Sequence, residues 1–313
     1  MGKAELVIDA KAKVGEGPCW DFRKQLLYWI DLFEGKVHVY NPFTNFDTYI
    51  CVGQPVGCVA PRLYGGLVLA CKGGFYFLNI EMKKLIFIAN PEKDLPNNIF
   101  NDGKCDACGR FWAGTTNDSL SEDVGSLYYL GSDLCVRKVL DHIYLSNGLT
   151  WSPDNRIMYY IDSGAYLRTG YKEVWAFDYD ITSGRIGNKR IAVKQKRVGK
   201  EVFDGMTSDE EGMIWVAQFG DYNVSRFNPY TGELLEVIEV PTANVTSCIF
   251  GGQKLNELYI TTARSTNPTV GADEKTIAKQ PQAGGVFRVK TNVRGHICYP
   301  YVDALCYKVP FYW

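Results

Sequence analysis

The chain reads as an all-β, six-bladed β-propeller, and three observations predict it. Short runs rich in Val, Ile, Tyr, Phe and Trp, separated by Gly, Asn, Asp and Pro, fill the 313 residues, and long helical patterns are hard to find. One such run recurs six times: LLYWID (26–31), GLVLA (66–70), RFWAG (110–114), MYYID (158–162), MIWVA (213–217) and ELYIT (257–261). With Trp29, Val68, Trp112, Tyr160, Trp215 and Tyr259 taken as equivalent, the steps are 39, 44, 48, 55 and 44 residues. A period of roughly 40–50 residues in an all-β chain is what four-stranded propeller blades produce.

Each blade can be followed along the chain. After Trp29 comes GKVHVYNPFTNFDTYICV, a strand, a turn and a further strand. KEVWAFDYDITSGRIGNKRIAV after Tyr160 and YNVSRFNPYTGELLEVIEV after Trp215 repeat the scheme, with NPFTN, DITSG and NPYTG as the turns. The run AELVIDA precedes the first anchor. It is expected to complete the last blade, close the ring and remove an open sheet edge. Residues 1–313 then form a single propeller domain with no linker. Two β-sandwiches fit less well, because one supersecondary unit recurs evenly.

Bulk properties narrow the partners. A formal net charge of -1 gives no electrostatic reason to expect nucleic acid or an anionic membrane surface. No apolar run reaches the roughly 18 residues of a spanning helix. The opening MGKAELVIDAKAKVGEG lacks the apolar core of a secretion signal, so a cytoplasmic location is expected. The ten cysteines are then read as reduced thiols, and the N-x-S/T triplets at Asn117, Asn223 and Asn244 as silent. Cys105 and Cys108 in CDAC lack the second pair that a structural zinc would need.

The strand before each anchor should line the central channel. Glu16 lies 13 residues before Trp29, Asn101 11 before Trp112, Asn147 13 before Tyr160, Asp204 11 before Trp215 and Ser247 12 before Tyr259. In the second blade, Val56 and Gly57 offer no side-chain oxygen. Glu16, Asn101, Asn147 and Asp204 should therefore meet at one mouth of the channel. Taken singly, an Asn or Asp before Gly is a common turn former. Four in register with a six-fold repeat are not explained that way, and Glu16, in GEGP, is a poor turn residue.

Two carboxylates confined in one channel repel each other unless a cation lies between them. Two carboxylates and two amides, without His or Cys, form a hard oxygen set suited to Ca²⁺, Mg²⁺ or Mn²⁺ rather than Zn²⁺ or Cu²⁺. One divalent cation in a central metal-binding channel is expected. Ca²⁺ comes first, and Mn²⁺, Mg²⁺ or Zn²⁺ are alternatives that supply could impose. His38, His142 and His296 fall out of register with the ring and are read as structural or surface residues, and no G-x-S-x-G elbow occurs.

The motifs GEGPCW, FNDGKCDACGRFWAGT, SNGLTWSPDNRIMYYIDS, FDGMTSDEEGMIWVA, TSCIFGG and QPQAGGVFRV resemble the SMP-30/gluconolactonase/luciferin-regenerating enzyme family, which includes the regucalcins. The resemblance runs from about Val14 to Tyr301, and the tail VDALCYKVPFYW (302–313) lies outside it. It implies a six-bladed propeller with one divalent cation, and hydrolysis of lactones or, in some members, organophosphates. Carried over by motif, Glu16, Asn147 and Asp204 would hold the metal, and Asn101 would touch substrate.

Two positions depart from the lactonase pattern. Ile99 stands where the family's sugar lactonases carry an arginine, which removes a fork of donors. Their acidic sugar-holding residue aligns with Ser119, with Asp118 one place earlier. An apolar wall at Ile99 favours a more hydrophobic lactone, ester or phosphotriester over an aldonolactone.

The resemblance also implies a mechanism. The metal would polarise the carbonyl, while Asp204 acts as general base or as nucleophile. Asn101 and Asn147 would hold the carbonyl side of the substrate, Glu16 would balance the metal's charge, and the loop 117–123 would shape specificity. The expected partner is a small lactone or ester, and the expected assembly a monomer or weak homodimer. A non-catalytic calcium-binding scaffold is the competing reading. A luciferin-regenerating type of hydrolase ranks lower, because that branch keeps the arginine.

Overall fold

Every anchor run forms the second strand of a four-stranded antiparallel sheet, and six such sheets make a β-propeller in the computed structural model. The structure describes residues 3–120 and 122–304. The six innermost strands are Gly15–Asp21, Val56–Pro61, Asn98–Cys105, Ser146–Trp151, Val202–Ser208 and Val245–Gly251. They pack around the axis, and five of the six are buried at every position, without the polar alternation of a one-sided strand. The outer strands Phe46–Cys51, Lys84–Ala89 and Arg185–Lys196 are largely exposed edges.

The anchors fill the space between blades. Trp29, Trp112, Trp215, Tyr160 and Tyr259 are fully buried. Trp112 meets Trp151 edge-on at 5.9 Å, and Trp215 meets Phe250 at 5.6 Å and 90°. A buried indole N–H needs an acceptor. Trp112 donates to Asp106 at 2.8 Å, Trp215 to Asp209 at 2.9 Å and Trp29 to Asp47 at 3.1 Å. Three tryptophans are thus fixed by one repeated device, a carboxylate on the same blade.

Closure follows the expected route. Glu5–Ile8 pairs antiparallel with Val286–Lys290, so the N-terminal strand becomes the outer strand of the last blade. Two short helices interrupt the scheme, Tyr166–Thr169 and Glu274–Ala278, the second capped by Asp273 accepting from the Thr276 N–H. The helices themselves, of 4 and 5 residues, are too short for an apolar helical period to show in the sequence.

The residues after the last blade run back across the ring. Gly295 bridges Asp209, and Tyr301 bridges Arg62 on the second blade. Asp303 accepts from Arg62 at 2.9 Å, and Ala304 N–H donates to Ser132. The remainder of the aromatic tail, 305–313, lies outside the described residues. Among the described residues no helix is long and apolar enough to cross a membrane.

Candidate functional site

The strand register breaks at the same level in all six blades. Between the innermost strand and the anchor strand the break falls at Glu16/Cys19, Val56/Cys58, Phe100/Gly103, Ser146/Leu149, Phe203/Met206 and Val245/Ser247. A bulge frees a residue from the ladder and re-aims its side chain. Asn101, Asn147 and Asp204 sit inside these breaks, and Glu16 sits at the edge of its own.

These four residues line one cavity of about 170 Å³. Ser247 does not line it. Thr246 does, with its hydroxyl donating to the Gly15 carbonyl at 2.6 Å. Counting back from the anchor slips by one here, because the sixth-blade bulge skips one residue where those of the third, fourth and fifth blades skip two. The second blade contributes no polar group. A Cβ on Gly57 would lie 2.3 Å from the Phe100 carbonyl oxygen, so the neighbouring strand occupies that space.

The glycines beside the site residues have two different roles. Gly17 has φ +54°, a conformation that glycine favours, and its N–H donates to Glu16 Oε2 at 2.8 Å. Gly148 and Gly205 are needed for space. A Cβ on Gly148 would lie 2.6 Å from the Asp204 carbonyl oxygen, and one on Gly205 would lie 2.8 Å from Ser247 Cα. They let the inner strands approach each other, which brings the spokes of the ring together.

Hydrogen bonds hold the amides. Asn101 Nδ2 donates to Asn147 Oδ1 at 2.9 Å and to the Ser146 carbonyl at 2.8 Å. Asn147 Nδ2 donates to Ser163 Oγ at 2.8 Å, and Ser163 Oγ donates to the Phe203 carbonyl at 2.5 Å. Both amide hydrogens of Asn101 are therefore engaged by protein, and what it offers the cavity is an acceptor oxygen.

The carboxylates are strained electrostatically. Glu16 and Asp204 are buried, and neither forms an ion pair among the described residues. Burial, and then repulsion from Asp102, pushes the Glu16 carboxyl up to about 8, against the pull of the Gly17 N–H. Burial, then Glu16, then Asp102 raises Asp204 well above the carboxylate range. Asp102 is itself raised by burial, partly offset by the Lys104 ammonium. Sequence reasoning missed Asp102. In a regular strand adjacent residues point to opposite faces, but the break at Phe100/Gly103 spans both Asn101 and Asp102. The one available signal was its place beside Asn101 in NDGK.

The wall is apolar. Ile99, Leu32, Leu145, Val202, Phe219 and Val270 line the cavity, and Ile99 is buried. Asp118 reaches the rim, paired with Lys72 at 3.2 Å, whereas Ser119 turns back onto Asn117 and does not line the cavity. Leu120 also lines the wall, and Ser121, within the loop 117–123, lies outside the described residues. The 265–270 loop adds Ser265, Thr266 and Asn267 to the rim, residues that no repeat signal marks. None of the three histidines takes part. His38 bonds Asp47 at 2.7 Å and stacks on Trp29, His142 is exposed, and His296 faces a different cavity.

Residues 14–264 match the model of the SMP-30/gluconolactonase/LRE-like region. The chain belongs to this family. Regucalcin of Danio rerio is 39% identical over 289 residues, covering 92% of this chain and 94% of its own. Human regucalcin is 37% identical over 305 residues, covering 96% and 98%. Among solved structures, a luciferin-regenerating enzyme superposes with a TM-score of 0.87 at 31% identity, covering 96% of this chain and 99% of that one. A regucalcin from Agrobacterium tumefaciens, described as a calcium-binding protein, also gives 0.87, at 24% identity over 96% of this chain and 97% of that one, which supports the fold.

At the site wall, Ile99 stands where the lactonase resemblance implies an arginine. Among the described residues, no three His, Cys, Asp or Glu side chains cluster in the manner of a metal site. The oxygens that converge come from two carboxylates and two amides. That mixed set fits a hard cation. Glu16 and Asp204 are buried without counter-charge, and a divalent ion is what their mutual repulsion lacks.

Proposed function

We propose that this chain is a divalent-metal-dependent hydrolase of lactones and related esters, with apolar rather than polyhydroxylated substrates. The convergence of Glu16, Asn147 and Asp204, without counter-charge, on the cavity walled by Ile99 carries this reading. The family's gluconolactonase description and a relative named as a luciferin-regenerating enzyme support hydrolytic chemistry.

Glu16, Asn147 and Asp204 would hold the cation. Once bound, it supplies Lewis-acid polarisation of the substrate carbonyl and keeps the two carboxylates ionised. Asp204, ionised, takes the proton from the attacking water. The Ser163 bridge fixes Asn147 so that its Oδ1 turns toward Asn101 and its remaining N–H is free of protein partners in the structure. Asn101 Oδ1 accepts a hydrogen bond from water or from a substrate hydroxyl. Ile99, Leu145 and Val202 bind the apolar part of the substrate and exclude water from that side of the carbonyl.

A panel of aliphatic lactones, aryl esters, phosphotriesters and aldonolactones, assayed with Ca²⁺, Mn²⁺, Mg²⁺ and Zn²⁺, tests this. Turnover of apolar lactones or esters that is lost in chelator is expected. No turnover across the panel, with a divalent ion still bound, would establish the competing reading, a non-catalytic calcium-binding propeller. Ile99→Arg restores the missing donors at the wall. It is expected to raise kcat/KM for an aldonolactone by at least about 10-fold relative to an alkyl lactone, the worth of one charged hydrogen bond. The ratio of the two specificity constants is the readout.

A further inference from the structure

Three thiols stand where the segment after the last blade passes under the channel. Cys19 lies on the first inner strand and Cys105 on the third, both buried in one apolar cluster against which Cys298 packs. Cys298 also packs against the neighbouring cluster that buries Trp20, which seats its sulfur at the Cys19–Trp20 end of the first inner strand. Cys298 is half-buried and lines a cavity it shares with Lys104, His296 and Cys105, at the far end of the inner strands from Glu16. No disulfide forms among the described cysteines.

We propose that Cys19 and Cys298 form a peroxide-sensitive pair that closes to a disulfide and fastens the C-terminal segment to the first blade. The two sulfurs divide the roles. Cys298 is reached through the cavity, and its thiol is held below the ordinary range by the Cys19 hydrogen bond and the Lys104 ammonium, against burial. The thiolate is the form that attacks. Cys19 is buried and does not line that cavity, so peroxide meets Cys298 first and Cys19 is left to resolve it.

The chemistry balances. The Cys298 thiolate attacks one oxygen of hydrogen peroxide, the O–O bond breaks, hydroxide leaves and takes up a proton to form water, and Cys298 becomes a sulfenic acid. Cys19, losing its proton, attacks that sulfur. The S–O bond breaks, a second water leaves and the disulfide forms. Two thiols are oxidised and one peroxide is reduced. The bond would join residues nearly a full chain length apart, where the constraint on the unfolded state is greatest.

The test is peptide mapping of the full chain by mass spectrometry after titration with hydrogen peroxide. One Cys19–Cys298 disulfide is expected, reversed by dithiothreitol, together with a rise in Tm of roughly 5–10 °C. In Cys19→Ser, Cys298 should instead be trapped by dimedone as a sulfenic acid. Cys298→Ser should leave Cys19 reduced at the same dose. The exposed Cys51, Cys108 and Cys135 report background oxidation. A Cys105–Cys298 bond, or Cys19 and Cys298 both still free after these exposed thiols are consumed, would overturn the assignment.

Discussion

Replacing Asp204 with asparagine is expected to lower kcat/KM by about 10²–10⁴-fold on whichever lactone or ester the protein hydrolyses, the range lost when a general base is removed. The substitution conserves shape in a tight place. Gly205 and Gly148 both bring neighbouring backbone against this strand, so a near-isosteric side chain should leave the ring assembled. Affinity for the divalent ion should fall as well, because one of two uncompensated carboxylates is gone. The metal-free variant should melt no lower than the metal-free parent, since the change also removes the cost of burying and protonating a carboxyl beside Glu16 and Asp102. Steady-state kinetics, calorimetric metal titration and thermal melts with chelator check the three parts. An Asp204→Asn variant with parental turnover would sink the proposed chemistry.

The second large effect concerns pH. Glu16 and Asp204 both have carboxyls raised in the folded state, Glu16 to about 8. Above the ordinary carboxylate range the unfolded chain has released these protons while the metal-free native state retains them. Stability therefore falls as pH rises wherever the native state binds more protons. The loss begins above the unfolded value near 4.5 and continues until Glu16 ionises near 8. The Tm of chelator-treated protein should drop steadily across this window. A saturating divalent ion should flatten the curve, because it favours the ionised carboxylates and binds only the native state. Apparent metal affinity should rise over the same range, as fewer protons have to be displaced. A metal-free Tm that is level from pH 5 to 8 would show that Glu16 and Asp204 do not share a common site.

The architecture was legible because a propeller repeats its physics. Each blade buries a second strand between neighbours, so Trp29, Trp112, Tyr160, Trp215 and Tyr259 recur as large residues in short apolar runs. Even the closure by AELVIDA follows from the cost of an open edge. The channel residues were legible for the same reason, since register carries Glu16, Asn101, Asn147 and Asp204 to one level. What escaped depends on local breaks in that register. The bulge places Thr246, not Ser247, at the mouth, and Asp102, buried beside Asn101, lies near enough to raise the Glu16 and Asp204 carboxyls although it does not line the cavity. Ser163, which fixes the Asn147 amide, follows the anchor strand of its blade and belongs to no repeated pattern. Ser119 was misplaced because a gap-free count cannot see that its hydroxyl turns back onto Asn117.

Crystals grown without chelator and soaked in Mn²⁺, with anomalous diffraction collected at the manganese absorption edge, test the central claim most directly. One strong peak is expected in the channel, at roughly 2.0–2.6 Å from oxygens of Glu16, Asn147 and Asp204, and its loss in the Asp204→Asn variant. A map with no peak between those three side chains, or with manganese bound only at surface carboxylates, would contradict it.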